Sequence, residues 1–484
     1  MIKSLWFNNI ETKIYPSLNE NINTKLLIIG GGITGISCAY ELSDVCDDIT
    51  LITMNDFFEG TTGSTTAKIT YQHGYLYHDL IKKVGINKAK AYYDLNKTGL
   101  ERIKEIVFKE NVDCDLEVVD SYLYSYNNED NNLKKEMKAY NLLGIHASTT
   151  GIDAFERVAL KVSNQANFHP LKYLSKLLEI ISKKNVKIYR NTPVKEITKN
   201  KVKTNHYTIT ADNIIVATGY PVYSQHNLFF TKLIPSISYV VTGIPDNGIE
   251  RGNYINTKDP IVAFRYYKDE LVISGMSHQS LEIPDFNKKY QKLIDIAKSQ
   301  FLINDFVSSW STRDYTSVDL LPFIGKVNNH TYIATGYGGW GMTNAVGASL
   351  LIKDIYLNRE NPFINIFNPK RFILTKKYVK YNLGSIRTII RSKKQFEKIK
   401  ELDLTEGKII KLNHGRYGIY RDEKNTIHIT KAKCTHLGCG LSFNKVDRVY
   451  ECPCHGSMFN YNGSVIHGPA RDNLQTIKIK NKEE

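Results

Sequence analysis

Four of the seven cysteines in the 484-residue chain fall within 21 residues: Cys434, Cys439, Cys452 and Cys454, with His436 and His455 among them. They form two boxes, CTHLGC and CPCHGS, that embed the spacing C-x-H, fifteen residues, C-x-x-H. Two thiolates and two imidazoles brought together hold a transition metal, so the chain must fold with two short loops converging on one point. Structural zinc and an iron–sulfur cluster both use such donors, and the extra cysteine in each box argues against zinc. Cys38, Cys46 and Cys114 lack metal spacing and read as isolated thiols.

The two boxes resemble the Rieske [2Fe-2S] domain, in which two thiolates bind one iron and two imidazoles the other. That resemblance makes Cys434, His436, Cys452 and His455 the ligands, and Cys439 and Cys454 a disulfide stapling the ligand loops, as in the cytochrome-complex type. Ring-hydroxylating oxygenases of this class lack the extra pair and carry a separate two-histidine, one-carboxylate iron domain; no such domain is apparent, so an oxygenase is disfavoured. The resemblance also makes Ser457 the hydroxyl that hydrogen-bonds a bridging sulfide, and Gly468, Pro469 and Ala470 the loop covering the cluster. Phe459 stands where high-potential members carry a tyrosine, so the expected potential lies below that of quinol-oxidising centres.

The other strong local signal is at the opposite end. Residues 25–56 read as strand, glycine turn, helix and second strand, the opening of a doubly wound sheet. Gly30, Gly32 and Gly35 form GxGxxG, which lets backbone amides and a helix N-terminus meet a pyrophosphate. The acid expected to bind a ribose is displaced: Thr53 stands 18 residues after Gly35 and the nearest acid is Asp56.

Further motifs in order, EGTTGSTTAKIT, NQANFHPLKYL, IIVATG, and DLLPFIG followed by IATGYGGWGMT, together resemble the glycine and D-amino-acid oxidase family of FAD enzymes over roughly residues 25–360. The resemblance implies FAD with its pyrophosphate at Gly30–Gly35, its adenine at Val194, and Thr218 and Gly219 on the pyrophosphate side. Thr65, Thr66 and Ala67 then pass near the isoalloxazine. Gly341, Met342 and Thr343 present amides to the flavin N1/O2 edge, where reduction deposits negative charge. Some relatives attach FAD through a cysteine near this turn; residues 115–433 contain none, so non-covalent FAD is expected. Arg265 is the candidate for a substrate carboxylate, Lys68 for a group near flavin N5, and His169 reads as a helix cap.

The expected fold is α/β, a Rossmann-like FAD-binding domain with an inserted α+β substrate domain, plus a C-terminal all-β Rieske domain. The expected boundaries are an N-terminal extension 1–24, an FAD-binding domain from 25–85, 151–225 and 315–361, and a cap from 86–150 and 226–314. A basic bridge at 362–400 and the Rieske domain at 401–484 complete the chain.

Charge localises to the bridge. Lys+Arg total 64 against 49 Asp+Glu, a net +15, and from Lys370 to Lys400 eleven Lys/Arg face one acid, Glu397, so +10 sits there. This stretch reads as a solvated interdomain surface whose apolar residues pack on a neighbour. The alternatives are docking of an acidic redox partner or peripheral contact with an anionic membrane. Nucleic acid is not expected. No run reaches the roughly 18 apolar residues of a membrane span, and the first residues lack a signal-peptide core, so a cytoplasmic location is expected.

A flavin takes two electrons and a [2Fe-2S] cluster carries one, so their union implies an internal wire. The expected function is oxidation of an amine or amino-acid-like small molecule, with electrons leaving singly through the cluster to an external acceptor. A redox carrier or sensor without a substrate, and reverse flow from cluster to flavin, are the alternatives. Deleting 401–484 should separate enzyme from carrier, because an enzyme's flavin half would still be reduced by substrate.

Overall fold

A computed structural model describes all residues except 1–3, 9, 126–130, 223–227, 247, 283–284, 374, 394–401, 413–414 and 478–484. The end of the basic bridge, with Lys394, and the extreme C-terminus lie outside the described residues.

The strand Ile22–Ile29 carries an apolar run buried on both faces, the pattern of a central parallel strand. It pairs in parallel with Ile49–Ile52 and Thr208–Val216. The sheet runs Phe323–Lys326, Thr331–Thr335, Thr208–Val216, Ile22–Ile29, Ile49–Ile52, Val186–Tyr189, antiparallel only at its first pair along this path. The crossover helix Ile33–Leu42 is buried along its whole length between this sheet and neighbouring helices.

A second, nine-stranded sheet stands beside the first. Its long strands Leu233–Gly243, Glu270–Gln279 and Phe306–Ser317 come from the expected insert. It also recruits Lys68–Ile69, Ser148–Ile152 and Arg157–Asn167, so the chain returns to the FAD-binding sheet near residue 170 rather than 151. Residues 315–317 likewise belong to the second sheet. The helix Ile86–Lys109, expected in the cap, packs on Gly341–Tyr356. Contact is close because a Cβ on Gly99 would fall 2.1 Å from the Thr343 carbonyl oxygen.

The N-terminal segment is part of the core. Trp6 is fully buried, and its indole donates to the Thr65 carbonyl at 2.6 Å. The bridge contains the helices Phe363–Phe367 and Lys376–Ser392. The C-terminal domain has two antiparallel sheets: Gly407–Leu412, Gly415–Arg421 and Ile427–Lys431, then Ser442–Asn444, Val449–Glu451, Met458–Asn460 and Val465–His467.

Candidate functional site

One cavity of about 430 Å³ follows the carboxyl ends of the parallel strands, where ligands of doubly wound sheets bind. Gly30 and Gly32 line it, and Gly35 packs the helix onto the turn behind them. Gly30 has φ +131° and its Cβ would lie 2.2 Å from the Ala217 oxygen; a Cβ on Gly35 would lie 1.9 Å from the Gly30 oxygen. Neither position admits a side chain. Helix Ile33–Leu42 begins at Gly32 and opens on the cavity, its first amide, Ile33 N, donating to Thr62 Oγ1 at 3.1 Å. This is the cradle a pyrophosphate needs.

Thr53, Val194, Thr218 and Gly219 line the same cavity, as do Thr65, Thr66, Gly341 and Met342. Asp56, by contrast, is not among the residues lining this cavity and forms an ion pair with Arg190. Ala67, at φ +56°, and Thr343 stand behind the wall; Thr343 Oγ1 donates to the side-chain Oδ1 of Asn96 at 2.7 Å, with Thr70 O as a second acceptor within 3.2 Å. Helix Gly341–Tyr356 also opens on the cavity, with no side chain from its N-cap residue Trp340 bonding its amides. The backbone shape, two helix N-termini and the polar threonines fit FAD.

Lys68 lines the cavity, and burial, aided by the nearby Arg265 charge, pushes its amine down to about 7. Asp314, held by the amides of Tyr315 and Gly339, is pushed up to about 6 by burial. Arg265 is placed differently from the expectation of a substrate clamp. Its Nε donates to Thr66 O at 2.7 Å and its terminal nitrogens to the Tyr266 and Phe168 carbonyls, each at 3.1 Å. The guanidinium sits over the Trp6 ring, 5.0 Å from its centroid. Its bonds go to backbone carbonyls, one of which, Thr66 O, braces the Thr65–Ala67 segment from behind. His169 caps helix Pro170–Ser182, its Nδ1 accepting from Lys172 N.

The two metal-ligand loops have matching turns. Gly438 N donates to Cys434 O and Gly456 N to Cys452 O, both at 3.0 Å, with glycine φ of +74° and +81°. Cys439 and Cys454 form a disulfide that ties the loops together. The Cys434 and Cys452 sulfurs face each other within hydrogen-bonding reach. The rings of His436 and His455 are 5.2 Å apart, and the Nδ1 atom of each is buried without a hydrogen-bond partner. Two facing thiols and two orphaned imidazole nitrogens are the donor set of a [2Fe-2S] cluster with mixed ligands. Ser457 Oγ accepts from Ala470 N at 3.0 Å, which ties the second loop to residues 468–470, and, after Cys452, it is among the groups that hold the Cys434 thiol below its ordinary value.

Sequence reasoning missed how the sites meet. Ile466, His467, Gly468, Pro469, Ala470 and Arg471 of the C-terminal domain form part of the FAD cavity wall. Strand Phe306–Ser317 serves both sites through its alternating faces. Thr312 and Asp314 line the cavity, whereas Arg313 Nη1 donates to Gly456 O, beside His455, at 3.0 Å. Arg313 Nη2 also pairs with Glu451 at 3.2 Å, both side chains almost wholly buried. Ser311 and Tyr290 donate to Asp447, and Tyr315 OH donates to Gly468 O at 3.0 Å. Phe230 contacts the rings of both His436 and His455. No local sequence signal marks these pairs, which come from positions more than 130 residues apart.

The family comparisons agree with this construction. The sequence model described as FAD dependent oxidoreductase matches residues 25–355, and that of the Rieske [2Fe-2S] domain matches 394–478. A putative Rieske 2Fe-2S iron-sulfur protein, YhfW of Bacillus subtilis (strain 168), is 34% identical over 99% of this chain and 98% of its own. The fold resembles L-proline dehydrogenase from P. horikoshii, with TM-score 0.60 and 17% identity over 73% of this chain and 98% of that one. Glycine oxidase from Geobacillus kaustophilus gives TM-score 0.59 and 14% identity over 73% and 100%. The chain therefore belongs to the FAD-dependent oxidoreductase family, as an enzyme of that family carrying a C-terminal Rieske [2Fe-2S] domain.

Proposed function

We propose that this oxidoreductase oxidises an amine or amino-acid-like small molecule and sends the electrons through the Rieske centre to an external acceptor. The observation that carries the reading is the shared wall: residues 466–471 of the Rieske domain close the cavity that Gly30–Thr34 open. Bound FAD supplies hydride acceptance with release of single electrons, and the cluster supplies one-electron transfer. The chain's own residues provide the setting. Gly30, Gly32 and the two helix N-termini hold a dinucleotide without covalent attachment. Lys68, neutral above about pH 7, can take a proton inside the cavity, and it is the better candidate for a group beside the reacting atoms. Arg265 positions the Thr65–Ala67 segment.

The test is anaerobic addition of amines, amino acids and hydroxy acids to the full-length protein, with flavin absorbance and cluster EPR read together. The expected result is flavin bleaching followed by the signal of a reduced cluster. Bleaching with a cluster that never becomes reduced would overturn the internal route; no bleaching by any class would favour a carrier without its own substrate.

A further inference from the structure

The helix Lys376–Ser392 leaves an aliphatic stripe facing solvent. Its buried residues are Tyr381, Ser385, Thr388 and Ser392. Tyr378, Tyr381 and Ile389 pack inward, but four aliphatic residues face outward: Val379 is 46% exposed, Leu383 55%, Ile386 57% and Ile390 60%, and Phe372 just before the helix is 88% exposed. At the α-helical repeat the four helical side chains fall within about 60° of one another, a single narrow stripe. Lys376, Lys380, Arg387 and Arg391 are all exposed and form a row along one side of that stripe. No acidic residue occurs between Glu360 and Glu397. The expectation that the apolar residues of this bridge pack on a neighbour is thus not met by these positions.

An exposed apolar stripe with a flanking cationic row matches the surface of an anionic bilayer, where the stripe enters the acyl boundary and the cations meet headgroups. We propose that this helix docks the protein peripherally on an anionic membrane. A second copy of the chain fits less well, because joining two stripes would bring two cationic rows together. The helix is fixed rather than dangling. Asn382 donates to Thr231 O, Tyr378 OH bonds the Thr231 hydroxyl, and Ser392 Oγ accepts from Gly440 N in the Rieske domain. Thr231 belongs to the short helix Phe229–Lys232, whose Phe230 contacts both His436 and His455. Docking through this helix would therefore hold the cluster domain at the membrane surface.

The experiment is co-flotation of full-length holoprotein with phosphatidylglycerol-containing vesicles and with pure phosphatidylcholine vesicles, alongside sedimentation analysis without lipid. The anionic vesicles should bind the protein, less so as salt rises. Arg387→Gln with Arg391→Gln should weaken that binding about 30-fold, at the usual contribution of a basic residue near such a surface. Leu383→Gln with Ile386→Gln should weaken it at least about tenfold. Both variants change exposed side chains, so unchanged flavin and cluster absorbance should verify their folding. Equal binding to both vesicle types, or no loss in the stripe variant, would overturn the proposal. A lipid-free dimer that the stripe variant splits into monomers would also overturn it, assigning the stripe to a second copy.

Discussion

At the scale of single residues, Lys68 and Arg265 divide roles that their spacing alone leaves open. Lys68 lies in the cavity wall with a depressed pKa, about 7 against an ordinary 10.5. Between those values the unfolded chain binds a proton that the fold does not. The folded state therefore gains stability as pH rises through this window and carries the whole penalty below about 7. Lys68→Met should flatten that dependence in melting experiments, and should remove an ionisation near 7 from the pH profile of flavin reduction with a rate loss of about 100-fold. Arg265, by contrast, braces backbone carbonyls. Arg265→Met should leave the Thr66 and Phe168 carbonyls unpaired and cost of order 3 kcal/mol, read as a lower Tm, while the KM of any substrate found stays near its original value. For the cluster, Ser457→Ala removes a hydroxyl that favours the Cys434 thiolate, so a redox titration should show a lower midpoint potential.

Among the elements, strand Phe306–Ser317 has the largest consequences. Its period-2 alternation lets Thr312 and Asp314 serve the cavity while Ser311 and Arg313 hold the Rieske domain. Burial raises the carboxyls of both Glu451 and Asp447 despite Arg313 nearby, which is the signature of charges taken out of water together. Removing one partner should cost more than removing both. Glu451→Leu should destabilise the chain by about 3–5 kcal/mol, whereas the double change Arg313→Met with Glu451→Leu should recover most of it, as measured by denaturant unfolding. Faster hydrogen exchange at Cys454–Ser457 in the single variant would locate the loss at the interface.

For the whole molecule, the Rieske domain is a structural part of the FAD site. Loop 466–471 supplies cavity wall, and Arg471 and Lys195 each donate to the other's carbonyl, next to Val194. Truncation after residue 400 would open that wall. Such a protein should lose FAD at least tenfold more readily on dilution, measured by released flavin fluorescence. The truncation consequently does not distinguish an enzyme from a carrier, because failed flavin reduction would follow from the missing wall in either case. The full-length anaerobic titration is the cleaner discriminator. Among the described residues no helix is long and apolar enough to cross a membrane, so the outward stripe on Lys376–Ser392 concerns the surface of a bilayer rather than its interior.

What the sequence by itself determined were the features whose chemistry is local. The C-x-H and C-x-x-H boxes, the disulfide partners implied by family resemblance with a sequence separation of 15, and Gly35 packed against Gly30 each depend on groups close together along the chain. Their spacing carries the geometry. Tertiary structure alone decided the rest. Arg265 became a brace because Trp6, Thr66 and Phe168 arrive from distant segments. Strand Arg157–Asn167 joined the second sheet because its pairing partners lie there. The two redox sites share a wall because loop 466–471 folds back across more than 200 residues onto Gly219 and Tyr220. Such contacts depend on which surfaces meet in three dimensions, and no periodicity along a chain records that.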